Sequence, residues 1–202
     1  MRFILLLCLL IAFTSQAQGA RLSLVGVANS TSPNSPGVEY SSETSYGVGV
    51  LLESRLVPMF GFEIGAIYAP RKYSLATAVP NATNVTNTGK MFEFPAAFRF
   101  HLGRNFSLGF GGYYAIAKGE VQQETTSAAG ASKQSVSYAS QNQTESDFGL
   151  LGSIQASFRI TPLTHLVFDA RYLMGLKNNS TVAGGDRKYN DLELLAGLQL
   201  GF

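Results

Sequence analysis

The feature that most limits what this chain can become is a side-chain alternation with a period of two, sustained over eight segments. They run over 21–29, 44–54, 59–69, 90–100, 105–118, 147–160, 165–177 and 189–202. Successive side chains of an extended strand point to opposite faces, so each segment has one large apolar face and one small or polar face. The last segment is the clearest. Leu192, Leu194, Ala196, Leu198, Leu200 and Phe202 share one face, and Asp191, Glu193, Leu195, Gly197, Gln199 and Gly201 share the other. Phe92, Phe94, Ala96, Phe98 and Phe100 likewise oppose Glu93, Pro95, Ala97 and Arg99. The first is weakest, with Leu22, Leu24 and Ala28 against Ser23, Val25 and Val27. No stretch after the first twenty residues carries a helical period. Most segments match or exceed the roughly 9–11 residues of a tilted membrane-crossing strand, where soluble strands average about 5–6.

Alternation alone does not say which face is inside. A soluble barrel such as a lipocalin also alternates, with its large apolar side chains inward. Composition decides: a water-facing surface is about 25–35% charged, and this chain is 14% charged. Its second face is mostly Gly, Ser and Ala. Small residues fit a narrow lumen, and large aliphatic and Phe side chains fit lipid. The expected fold is all-β, an eight-stranded antiparallel up-and-down transmembrane β-barrel. The linkers agree. Those at 30–43, 70–89, 119–146 and 178–188 are long, and those at 55–58, 101–104 and 161–164 are short. Outer-membrane barrels have short periplasmic turns and longer extracellular loops, which puts both termini on the periplasmic side. Pro58, Gly103 and Pro162 supply turn geometry in the short connections. The segment 119–146, rich in Gln, Ser, Thr and Ala, has the composition of a mobile loop. On the lipid face, Phe60, Phe100, Phe106 and Phe202 fall at the short-turn ends and Tyr46, Tyr68, Phe92 and Phe148 near the long loops. Two such bands are what interfacial girdles require, although aromatics favour strands in any case.

The start of the chain reads as an export signal. Arg2 precedes an apolar run over 3–13, and Ser15-Gln16-Ala17 offers small residues for cleavage. The expected division is therefore a signal peptide at 1–17 and a barrel domain at 18–202. The apolar run is shorter than the roughly 20 residues of a membrane-spanning helix. Cys8 sits inside the run rather than after it, so it is no lipoprotein acceptor. It is also the single cysteine, which leaves no disulfide framework and no thiolate metal site. A net charge of +2 without a basic stripe excludes an electrostatic nucleic-acid binder.

On the export signal, the eight amphipathic segments and the ending Leu198-Gln-Leu200-Gly-Phe202, the chain resembles the small outer-membrane β-barrel family of OmpA-type and OmpX-type barrels. The resemblance implies residence in the bacterial outer membrane, with outer-membrane lipid and lipopolysaccharide as neighbours. It also implies recognition by the barrel-assembly machinery, with Phe202, Leu200 and Leu198 as the assembly signal. The chain departs from two-domain OmpA proteins by stopping at Phe202, so tethering to the cell wall through a peptidoglycan-binding domain is not expected.

The candidate functional residues are the ionisable groups on the lumen face. Glu63, Arg99, Arg159, Asp169 and Arg171 fall in the lower to middle lumen, and Glu93, Asp147 and Glu193 higher. Charge inside a narrow barrel is costly unless paired. The expectation is an ion-pair network linking Glu63, Asp169 or Glu193 with Arg99, Arg159 or Arg171. Such a network is either a gate, opened by swapping partners, or a static plug that fills the lumen and fixes register. The plug outweighs the gate because an eight-stranded interior is just wide enough for side chains. His101 and His165 map to short turns of different hairpins, which suits neither catalysis nor a metal site, and no enzyme activity or cofactor is expected. Gly109, Gly111 and Gly112 lie inside an alternating strand and not at a strand-to-helix turn, so they read as packing and not as a phosphate loop. Arg71, Lys72, Arg187 and Lys188 fall at the long-loop rim, facing lipopolysaccharide phosphates or solvent. The functional expectation is a structural or surface-interaction barrel with a mostly filled lumen. The alternatives are a narrow channel for ions or very small solutes, and an adhesin that binds an extracellular ligand through its loops.

Overall fold

A computed structural model describes residues 19–75, 82–127, 130–183 and 185–201. The expected signal peptide and Phe202 lie outside them. The first six strands are β1 (Ala20–Asn34), β2 (Tyr40–Val57), β3 (Phe60–Tyr68), β4 (Arg71–Leu75), β5 (Ala82–Gly89) and β6 (Met91–Leu102). The next six are β7 (Phe106–Ala117), β8 (Val121–Ser127), β9 (Gly130–Val136), β10 (Ser146–Arg159), β11 (Thr164–Gly175) and β12 (Lys188–Gly201). Eight of these, in the order β1-β12-β11-β10-β7-β6-β3-β2, form an antiparallel sheet that closes where β2 pairs with β1. They correspond one to one with the eight alternating segments. Closure leaves no strand edge within the wall, which a sheet in lipid requires because no water is there to satisfy free N–H and C=O groups.

Alternation sorts the side chains as the sequence implies. Leu24, Phe98, Phe110 and Ile154 point outward and are more than 60% exposed. An exposed apolar belt of this extent is a liability in water and a solvent match in lipid. Aromatic pairs mark its two rims: Phe60 packs on Phe100 with ring centroids 5.2 Å apart, and Tyr68 on Phe92 at 5.3 Å. Inside, Val25, Val27, Leu51, Ile67, Val167 and Leu195 form an apolar cluster against one side of the wall. The remaining inward positions are largely polar or charged.

The long connections depart from the expectation of plain loops. β2 runs beyond the wall and pairs with β4 from Tyr40↔Leu75 to Ser42↔Tyr73. β5 joins β4, β8 joins β5, and β9 completes a sheet held outside the barrel. The segment expected to be a mobile loop thus contains a hairpin, laddered from Val121↔Val136 to Ser127↔Gly130. Its strands are Thr-, Gln- and Ser-rich, so backbone pairing holds them and hydrophobic period cannot reveal them. β1 extends past its expected end for a related reason: Asn29 and Thr31 continue the inward alternation with polar side chains that are fully buried.

If the belt faces lipid, the cost of a charge on it depends on depth. Phe110→Arg, at mid-wall, is expected to destabilise the barrel by about 2–4 kcal/mol and Tyr46→Arg, near the rim, by about 0–1 kcal/mol. Urea unfolding in lipid vesicles measures both. Equal costs would contradict the assignment.

Candidate functional site

Three layers of polar side chains stack along the lumen. The middle layer is built from β3, β6, β10 and β11. Arg99 donates from Nη2 to Glu63 at 2.8 Å and from Nη1 to Ser153 Oγ at 2.9 Å, and its Nη2 also meets Asp169. Arg171 reaches Glu63 Oε1 and Asp169 Oδ2, both at 2.8 Å. Two guanidiniums and two carboxylates therefore close a neutral ring, and none of the four is more than 4% exposed. Gly109 makes room for it. A Cβ there would collide with Ser153 and lie 3.1 Å from Arg99 Nη1. Charges taken out of water are tolerated here because each finds an opposite partner and further hydrogen bonds.

Above this ring, Arg71 enters from the start of β4 and bridges two acids, Asp147 at 2.8 Å and Asp191 at 2.7 Å. Tyr113 donates to Asp147 at 3.0 Å, and Asn179 does so at 3.1 Å. A tyrosine cap covers Arg71. Its guanidinium lies 4.9 Å from the Tyr189 ring centroid, and Gln143 ties Tyr73 and Tyr189 together at 2.9 and 3.0 Å. Burial pushes the Tyr138 hydroxyl beside this cap up to about 12, so that hydroxyl keeps its proton at neutral pH.

Below the ring, Glu53 lies 3.1 Å from His101 Nε2 and 3.7 Å from Arg55. Arg55 Nη2 sits 3.2 Å from His101 Nδ1. A guanidinium only donates, so Nδ1 accepts and the ring proton sits on Nε2, facing the carboxylate. Gln199 links this layer to Ser23 at 3.2 Å and receives a bond from Arg21 at 3.3 Å.

The structure thus brings Glu63, Arg99, Asp169 and Arg171 into one ring and leaves out two residues named with them. Arg159 is exposed at the lower lip, donating to the Thr161 carbonyl at 3.1 Å; its pairing with His165 is the last of the β10–β11 ladder. Glu193 is fully buried beside Glu93 and, among the described residues, takes part in no ion pair. Three further placements need correcting. Arg71 is not at the rim but 4% exposed inside, because Ala69 and Pro70 make a short link and β4 resumes the alternation. Neither His101 nor His165 is a turn residue, since β6 runs to Leu102 and keeps His101 on the inward face, and β11 starts at Thr164 and takes in His165. Glu53, Arg55 and Asp191 were missed; segment parity places Glu53 and Asp191 inward, whereas Arg55 falls in the expected short turn at 55–58 and instead lies in β2, which runs to Val57. Leu198 and Leu200 lie on the lipid face of β12, half-exposed.

Residues 16–181 match the outer membrane protein beta-barrel domain family. The chain belongs to that family. As such a barrel it resides in the bacterial outer membrane. No curated protein sequence matches it. Among solved structures it is similar to the outer membrane protein OprG from Pseudomonas aeruginosa, at 11% identity and a TM-score of 0.51, covering 93% of this chain and 97% of that one. It is also similar to Ail, the attachment invasion locus protein of Yersinia pestis, at 12% identity and a TM-score of 0.47, covering 90% and 98%. These identities speak to fold alone. The small outer-membrane barrel is the shared architecture.

Removing one member of the neutral ring leaves one buried charge uncompensated. Arg99→Ala is expected to cost about 3–5 kcal/mol in urea unfolding, and Arg159→Ala at the exposed lip no more than about 0.5 kcal/mol. Similar costs for the two would contradict the layered arrangement.

Proposed function

We propose that this protein is a closed outer-membrane barrel, its lumen filled by its own side chains, that works through the sheet it holds outside the membrane. The observation that carries the reading is the middle ring, whose four charged residues are at most 4% exposed. A water-wide path through that level would leave them exposed. A barrel closed at its waist acts at its ends, and the outer end presents an organised surface. β9 is the last strand of the outer sheet, and all but its final residue are exposed. The reading is therefore a structural or surface-interaction role, with lipopolysaccharide and extracellular ligands as the contacts available there.

The reading is non-enzymatic. His101 lies buried beside Glu53 and Arg55, and no Ser, Thr or Cys side chain is hydrogen-bonded to it among the described residues. A narrow channel is the competing reading, and it requires the Glu63–Arg99–Asp169–Arg171 ring to open.

Removing the hairpin 121–136 tests the proposal against its rival. The shortened barrel is expected to fold and to lose at least half of the whole protein's binding to target cell surfaces or lipopolysaccharide. Unchanged binding, together with discrete single-channel openings that Arg171→Glu abolishes, would replace the surface role with a channel.

A further inference from the structure

The lower mouth of the barrel, opposite the outer sheet, is a cavity of about 680 Å³ lined by Arg21, Arg55, Arg104, Arg159, Ser157 and His165. Strand parity turns five of them inward: each lies two residues below a buried lumen position, namely Ser23, Glu53, Gln155, Ser157 and Val167. Arg104 comes from the β6–β7 turn, where Gly103 takes a φ of +76° that favours glycine. Four arginines thus converge where the described residues supply one acid, Glu53, already held by His101 and Arg55. Arg21 finds a neutral partner in Gln199 and Arg159 one in the Thr161 carbonyl. Among the described residues Arg21, Arg104 and Arg159 make no ion pair. Ser157 Oγ and His165 Nδ1 are buried without a hydrogen-bond partner, so the mouth also holds unused polar atoms.

Two features specify what would bind. The buried ring above makes this cavity a dead end, which suits a docked group and not a passing ion. Its lining also runs over the β6–β7 turn to Leu102 and Phe106, half-exposed on the lipid side of the wall. A cluster of guanidiniums beside apolar side chains, at the short-turn end of an outer-membrane barrel, sits at the headgroup level of the periplasmic leaflet. We propose that this mouth binds the phosphate of an anionic phospholipid from that leaflet, with its acyl chains along Leu102 and Phe106. Guanidiniums match phosphate oxygens in forked, charge-assisted pairs, and a basic pocket at the membrane surface favours anionic headgroups. A free phosphate shares the headgroup chemistry but has nothing to lay on the apolar lip.

The test uses the whole barrel in nanodiscs of equal phosphatidylglycerol and phosphatidylcholine, with retained lipid read by native mass spectrometry. Wild-type protein is expected to retain phosphatidylglycerol preferentially. Arg104→Gln with Arg159→Gln, two exposed positions that leave folding intact, should reduce that preference about tenfold. The matching pair Arg104→Lys and Arg159→Lys should keep most of it. Excess inorganic phosphate should leave the wild-type preference in place. Three outcomes overturn the proposal: no preference in the wild type, a preference that survives both glutamine changes, or one that inorganic phosphate removes, which marks a free-anion site.

Discussion

Everything in this molecule depends on burying two guanidiniums, Arg99 and Arg171, inside the barrel. Desolvating such groups costs several kcal/mol each unless opposite charges stand at hydrogen-bonding distance. Glu63 and Asp169 meet that requirement, one from β3 and one from β11, so the ring ties strands from opposite sides of the barrel. A one-residue slip of any of these strands would turn its charge into lipid, where a midplane arginine is expensive. The ring therefore fixes register as well as filling space. Gly109 belongs to the same solution, since a side chain there would displace Ser153, which accepts from Arg99, and crowd the guanidinium.

The wall was legible in the sequence because lipid and lumen impose opposite demands on alternate residues. Strands such as β6 and β12 carry that contrast along nearly their whole length. The middle ring was half legible, because parity shows that Glu63, Arg99, Asp169 and Arg171 face inward but not which heights coincide around a tilted barrel. That is why Arg159, with the same parity, reads as a partner and yet sits at the lip. The outer sheet was not legible. β5, β8 and β9 have no apolar face to repeat, and the sheet is joined by a backbone ladder between β5 and β8, which lie far apart in sequence. Arg71 was misplaced for the same reason, since its position depends on β4 forming at all.

The two ends of the barrel differ in kind. The upper end is covered by tyrosines over Arg71 and its two aspartates and continues into a polar sheet. The lower end is open, basic and bordered by apolar side chains. On the function proposed above, a closed waist between them separates the chemistry of the outer end from that of the lower mouth.

The most direct test of the closed waist is chemical access to the middle ring. In a chain carrying Cys8→Ser, a cysteine in place of Ser153 stands where the native hydroxyl accepts from Arg99. The same chain with Ser42→Cys, at an exposed outer position, reports the unhindered rate. A small charged methanethiosulfonate reagent should label the Ser42 position within seconds and the Ser153 position only on unfolding. Comparable labelling of both in the folded barrel would mean that water and ions reach the ring, and the account of a side-chain-filled lumen would be wrong.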